Sequence, residues 1–206
     1  MKELPISFNA PMVRAILAGA KTQTRRIIKP QPDHRTTRVS ICRDQWMGNG
    51  PSGNGAGTAQ WDPRRKSPFA VGDRLWVRQT WRLPGIFNAP TVCTFARSLV
   101  RHALDNGNKG ASQYHRAMLM PRWASRILLE VVSVRAERLQ DISDADAIAE
   151  GIGLNESAAG VPSTNPSGET LPVATFRRGV WEPIYGAEGW EANPWVWVVE
   201  FRRIDA

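Results

Sequence analysis

The chain has 206 residues, 42% of them apolar, and carries 27 Lys and Arg against 19 Asp and Glu, for a net charge of +8. That length suits one sizeable core and favours a single domain over two, and the apolar share is enough for the chain to fold. No apolar run approaches the ~20 residues of a membrane span, and residues 1–9 lack the pattern of a secretion signal, so a soluble cytoplasmic protein with no membrane partner is expected.

The basic excess is made of 22 Arg and only five Lys. Arginine is favoured where planar, bidentate contacts to phosphate or bases matter, so the charge points to nucleic acid; a codon bias in a high-GC genome would give the same excess. Cys42 and Cys93 have no CxxC spacing, and His34, His102 and His115 are scattered. No metal and no cofactor are therefore expected, and the thiols are read as free.

Residues 4–8 alternate like a short strand and end at Asn9, a good helix N-cap. Met12, Val13, Ile16 and Leu17 then recur at helical spacing, with Pro11 in the first turn and Gly19 where a left-handed C-cap would stop the helix. The helix delivers the chain to Gly19-Ala20-Lys21-Thr22-Gln23-Thr24-Arg25-Arg26. This stretch has nothing apolar larger than alanine and is rich in donors for an anionic or hydrogen-bonding ligand; as a solvated turn it would do nothing more. A flat strand here puts Lys21 and Thr24 on opposite sides and a tight turn brings them together, and the pattern leaves both open. A strand broken by Pro30 and Pro32 is expected over residues 27–32.

Residues 33–68 read as an insertion, with a mobile Gly-rich run over 48–57 flanked by Trp46 and Trp61, which either pin its ends or stack bases. A Gly72-Asp73 turn leads into a strand of period two. Leu75, Val77 and Gln79 point one way, and Arg74, Trp76, Arg78 and Thr80 the other, as a cation-π ladder or a wall of a nucleic-acid groove. A weak helical pattern covers residues 95–104. Residues 127–134 are apolar on both faces and read as a central buried strand. Ser143 and Asp146 form a capping box for a short helix ending at Glu150 and stopped by Gly151; a carboxylate at that end opposes the helix dipole, which suggests a further task for Glu150. Residues 153–175 read as a second flexible insertion, residues 180–185 as a short helix, and residues 195–203 as the last strand. The sum is an α+β domain on a curled sheet or small barrel.

Several segments together resemble the ASCH family, a branch of the PUA-like β-barrels, in the longer form found in phage and prophage proteins. They are Ala10-Pro11-Met12-Val13-Arg14-Ala15-Ile16-Leu17 with residues 19–26, Gly72-Asp73-Arg74-Leu75-Trp76-Val77-Arg78, Met120-Pro121-Arg122-Trp123-Ala124-Ser125-Arg126, residues 139–151, and the final Asn193-Pro194-Trp195 strand. The resemblance implies a small mixed PUA-like β-barrel with a few short helices, a cleft lined by the Lys21 loop, and RNA-related roles. One smaller ASCH branch comprises amidohydrolases of N4-acetylcytidine. Their Lys-Thr-x-Thr-x-Arg segment is similar to residues 21–26, which implies Lys21, Thr24 and Glu150 as the catalytic set. Longer members carry Glu where Gln79 stands, and Gln keeps hydrogen bonding without the charge.

The expected function is binding of RNA or a modified nucleoside in a basic cleft. Thr22, Arg25 and Arg26 are its near contacts, and Arg74, Trp76, Arg78, Trp81, Arg122 and Trp123 are further candidate contacts. The alternative is amidohydrolysis, with Thr24 as nucleophile, Lys21 as base and Glu150 as acid/base. A ribonuclease, or a structural phage protein, stands behind these two.

Overall fold

The computed structural model describes residues 1–32, 36, 38–42, 45–49, 59–82, 101–102, 114–152 and 171–204. Residues 50–57 of the Gly-rich run, His34, Cys93, residues 153–170, the side chains of Trp46 and Trp61 and most of the weak helical pattern at 95–104 lie outside them. In chain order the elements are β1 (Glu3–Ser7), α1 (Ala10–Leu17), β2 (Gln23–Ile27), β3 (Arg38–Cys42), β4 (Gln45–Asn49), β5 (Ala59–Lys66), β6 (Arg74–Arg78), β7 (Trp81–Arg82), β8 (Arg101–His102), β9 (Leu128–Arg138), α2 (Asp144–Ala149), α3 (Leu171–Phe176), α4 (Glu182–Glu191) and β10 (Trp195–Ile204).

The chain divides into two compact units. Unit 1 is Met1–Gly19, Gly72–Glu130 and Arg202–Ala206, and unit 2 is Ala20–Val71 and Val131–Phe201. In unit 1, Asn9 caps α1 by accepting from the Met12 amide at 3.0 Å, and Gly19 takes φ +76°, a conformation an L side chain rarely adopts. β1 pairs in parallel with β6, and β6 pairs antiparallel with the start of β9. The period-two reading of β6 holds: Leu75 and Val77 are buried, while Arg74, Trp76 and Arg78 are half-buried on the other face.

In unit 2, β2 pairs antiparallel with β10, matching Gln23 with Glu200, Thr24 with Val199 and Arg25 with Val198. The strand thus starts at Gln23, before the Ile27 start read from residues 27–32, because its partner is β10, far away in sequence. Within the stretch read as an insertion, β3, β4 and β5 form a three-stranded antiparallel sheet, in that order. Leu139, Ile142, Ala147, Phe176, Trp181, Trp190, Val196 and Val198 make the core, which packs α2, α3 and α4 against β10. α3 includes Leu171 to Thr175, read as loop; Ala174 and Phe176 bury its inner face despite the Ser- and Gly-rich approach. Between α3 and α4 the chain makes a π-helical turn, Arg177–Trp181, and α4 is broken at Gly186, where φ is +77°. Only the first half of β9 behaves as a buried strand, since Val132 is already exposed and Arg135 and Glu137 follow.

The five-stranded sheet runs β1-β6-β9-β10-β2 and, among the described residues, is open, not the closed barrel expected. Both edges have a physical reason to stay unpaired by further strands. On β1, Phe8 donates to β6 and Lys2 accepts from it, so even-numbered backbone groups face β6 and the donor that Pro5 lacks is on the outer edge. On β2, the chain just before the strand is taken up by the end of α2: the Thr22 amide donates to the Ala149 carbonyl at 2.9 Å, and Lys21 bridges to Glu150. Among the described residues, no helix is long and apolar enough to cross a membrane.

Leu139 has no exposed surface and sits at the centre of the unit 2 core. Leu139→Ala is expected to lower unfolding stability by ~2–5 kcal/mol in urea titration, whereas Val71→Ala, at an exposed position, should stay within about 0.5 kcal/mol.

Candidate functional site

The candidate site is built where β2 begins and α2 ends. The register of β2 with β10 continues outward, with the Ile28 amide on the Trp195 carbonyl and the Phe201 amide on the Thr22 carbonyl. Even-numbered backbone groups of β2 therefore face β10, and the Gln23 carbonyl faces the open edge. Lys21 reaches that edge. Its Nζ donates to the Gln23 carbonyl at 2.8 Å, to the Glu150 carbonyl at 2.8 Å and to Glu150 Oε2 at 2.6 Å.

Three acceptors around one amine call for three protons, so Lys21 rests as the ammonium. Its side chain has no exposed surface and that of Glu150 only 2%. Burial is the main influence on Lys21 and lowers its pKa below the ordinary lysine value; the charge and hydrogen bond of Glu150 oppose this, and Arg26 and Arg25 add to it.

α2 presents Glu150 at the right point because its start and stop are both specified. Ser143 Oγ accepts from the Asp146 amide and donates to Asp146 Oδ2, the expected capping box, and Gly151 leaves the helix at φ +84°. Glu150 is the C-cap residue. The unfavourable helix end is offset by two cations: Lys21 on Oε2, and Arg25 Nη1 on Oε1 at 3.2 Å.

Arg25 is itself enclosed. Its Nη2 lies 2.6 Å from Glu137 Oε1 and 3.3 Å from Asp146 Oδ2, and its guanidinium lies over the Phe176 ring at 5.8 Å. Gln23 shares this face and donates to the Asp146 carbonyl at 2.9 Å. Arg135 completes the group through Glu137, Asp146 and Glu200. Burial alone would raise the Asp146 pKa; hydrogen bonds from Ser143 and Gln23 and the charges of Arg135 and Arg25 outweigh it and lower it.

Three cations, Lys21, Arg25 and Arg135, thus face four carboxylates, Glu137, Asp146, Glu150 and Glu200. The stretch read as a basic cleft is electrically compensated where it is buried. A phosphate at Lys21 or Arg25 would have to displace carboxylates already bound there.

The structure joins Lys21, Arg25 and Glu150 directly. Thr24 is buried and directly follows the carbonyl that Lys21 holds; strand alternation puts its side chain and that of Arg26 on the face opposite Gln23 and Arg25, with Val199 and Trp197 as cross-strand neighbours. Thr22 is exposed and contributes its backbone. Arg74, Trp76, Arg78, Trp81, Arg122 and Trp123 belong to unit 1. There Arg78 lies over the Trp76 ring at 5.7 Å, Arg122 Nε pairs with Glu3 at 2.9 Å, and Trp81 meets Trp123 edge-on at 6.1 Å.

Glu137, Arg135, Gln23 and the ion-pairing role of Asp146 are not found by the sequence reading. The alternation of Arg135 and Glu137 at the end of an apolar strand is the signal that could have found the first two. Among the described residues, no group of three or more His, Cys, Asp or Glu is placed to hold a metal ion. No family model, curated protein or solved structure matches the chain.

Two expectations follow from this geometry. Because the Asp146 pKa is lower in the folded chain than its ordinary value of 3.8, its contribution to stability is complete above that value and is lost as the pH falls through the folded pKa. Thermal melts between pH 7 and pH 2 should show that loss in the parent and a shallower one in Asp146→Asn. Glu150→Leu leaves Lys21 buried without its counter-ion and should lower stability by ~3–5 kcal/mol in chemical denaturation; Lys21→Met in the same background should restore part of it.

Proposed function

We propose that the chain is an amidohydrolase acting on an N-acylated nucleoside of the N4-acetylcytidine kind, on an opened sheet related to the ASCH, PUA-like architecture. Thr24 is the nucleophile, Lys21 its base and Glu150 the group that holds the proton of Lys21. The observation that carries the reading is the buried Lys21 amine 2.6 Å from Glu150 Oε2 and hydrogen-bonded to the carbonyl that leads into Thr24.

A threonine hydroxyl is almost never ionised near neutrality and needs a base. Lys21 becomes one when its proton passes along the short bond to Glu150, giving an amine and a carboxylic acid in place of two ions. Burial favours that exchange, because it disfavours the Lys21 ammonium. The Thr24 hydroxyl, on the face opposite Arg25, then attacks the acyl carbon and gives its proton to the Lys21 amine around the open strand edge that Lys21 reaches. The carbon–nitrogen bond breaks, the leaving amine takes the proton from Lys21, and water hydrolyses the acyl-threonine to release the acid and regenerate the hydroxyl.

A second reading, RNA binding without turnover, is favoured by a different observation. Arg74, Trp76 and Arg78 lie side by side on a half-buried face of β6, and phosphate and base contacts there would not disturb the compensated network of unit 2.

Incubation with N4-acetylcytidine, followed by chromatography of released cytidine, tests the proposal. The parent should turn over, Lys21→Ala and Thr24→Ala should lose at least about 100-fold in rate, and Thr24→Ser should retain activity. The basic limb of the rate profile should appear below the ordinary lysine value, since burial lowers the Lys21 pKa. A folded parent with no turnover, but with RNA affinity that falls steeply with salt, would replace this reading with the second.

A further inference from the structure

The net charge of the chain is confined to unit 1. That unit carries 13 Lys and Arg against five Asp and Glu, whereas unit 2 carries 14 of each, so the whole excess of +8 belongs to unit 1. Within unit 1, no Asp or Glu occurs between Asp105 and Glu130, a stretch that holds Lys109, Arg116, Arg122 and Arg126. Charge of one sign concentrated on one unit steers and selects partners of the other sign.

The same stretch turns apolar side chains to water. The single helical turn Ala117–Leu119 buries none of its residues, and Met118 and Leu119 are each 64% exposed. The core takes the following residue instead, Met120, which is 2% exposed. The turn is held in place from both sides: the Met120 amide donates to the Ala117 carbonyl at 3.1 Å, and Arg78 Nη1 donates to the Met118 carbonyl at 3.2 Å. Met118 and Leu119 are therefore presented on a fixed support beside the outer face of β6. Cations surround them. Arg78 is half-buried at one side, Arg116 is exposed where the turn begins, and Arg122, paired with Glu3, keeps 37% of its side chain exposed. An apolar centre with a polar rim is the composition of a protein interface. Phosphates would meet these guanidinium groups but bring no apolar counterpart to Met118 and Leu119. A polypeptide whose carboxylates flank apolar side chains meets both.

We propose that the turn Ala117–Leu119, with Arg78, Arg116 and Arg122 around it, docks an acidic amphipathic segment of a partner protein. Apolar side chains of the segment cover Met118 and Leu119, and its carboxylates pair with the guanidinium groups. The inference is independent of the hydrolytic reading, since it uses no residue of unit 2.

Selection of short displayed peptides of random sequence on the immobilised full chain, with counter-selection on Met118→Asp, tests it. The most enriched sequence is then synthesised, labelled and titrated with the parent by fluorescence anisotropy. Enriched sequences are expected to combine Asp or Glu with large apolar residues, and their affinity should fall as salt is raised. Met118→Asp and Arg116→Glu should each weaken binding about tenfold or more while melting close to the parent, because both positions are exposed. Leu119→Asp should act in the same direction, which keeps the test decisive should Met118→Asp fail to fold. No enrichment, enrichment of peptides without carboxylates, or binding unchanged in the folded variants would overturn the proposal. So would loss in Met118→Asp of single-stranded RNA binding by a parent that selects no acidic peptide, which gives the surface to RNA, or loss there of self-association by such a parent, which gives it to a second copy of the chain.

Discussion

A primary amine with no exposed surface keeps its proton only where the protein supplies acceptors, and Lys21 is given three of them, two from Glu150. Removing two ions from water costs several kcal/mol each, so the pair is stable only in near-ideal geometry. That geometry requires the last turn of α2 and the first residue of β2 to stay in register. The Ala149 carbonyl on the Thr22 amide provides the backbone half of the requirement, and the ion pair provides the side-chain half. What holds the helix to the sheet edge is also what leaves that edge without a further strand.

Five further charges of unit 2 join the same network. Arg25 comes from β2, Arg135 and Glu137 from β9, Asp146 and Glu150 from α2, and Glu200 from β10. Each of these carboxylates has a cation, and Arg25 and Arg135 are each shared among three carboxylates, so none of these ions is buried alone. Such a network is weak as a source of stability and strong as a device for placing groups, because loss of one member leaves another charge buried without a partner. Arg25 is consequently a fixed strut between β2, β9 and α2.

Unit 1 uses a different chemistry. Two of its arginines lie over rings, Arg78 over Trp76 and Arg82 over Tyr114, and Arg122 pairs with Glu3. On its buried face, Gln79 Oε1 and Trp81 Nε1 make no hydrogen bond among the described residues.

Much of the local structure was legible in the residues themselves. Asn9 and Gly19 bound α1, Ser143 and Gly151 bound α2, and the period of two over residues 74–78 separates Leu75 and Val77 from Trp76, because capping and alternation depend on neighbours in sequence. The penalty of a carboxylate at a helix end also singled out Glu150. Pairing was not legible: nothing in residues 21–27 names β10 as their partner, and without that register neither the strand start at Gln23 nor the division of Thr24 from Arg25 can be read. Closure was not legible either, since whether a sheet becomes a barrel depends on what meets its edges. The pairing of Lys21 with Glu150, 129 residues away, and the neutralisation of Arg25 by Glu137 and Asp146 were decided by tertiary structure alone. Charge is a property of residues, but compensation is a property of distance, and distance between remote segments exists only once the chain is folded.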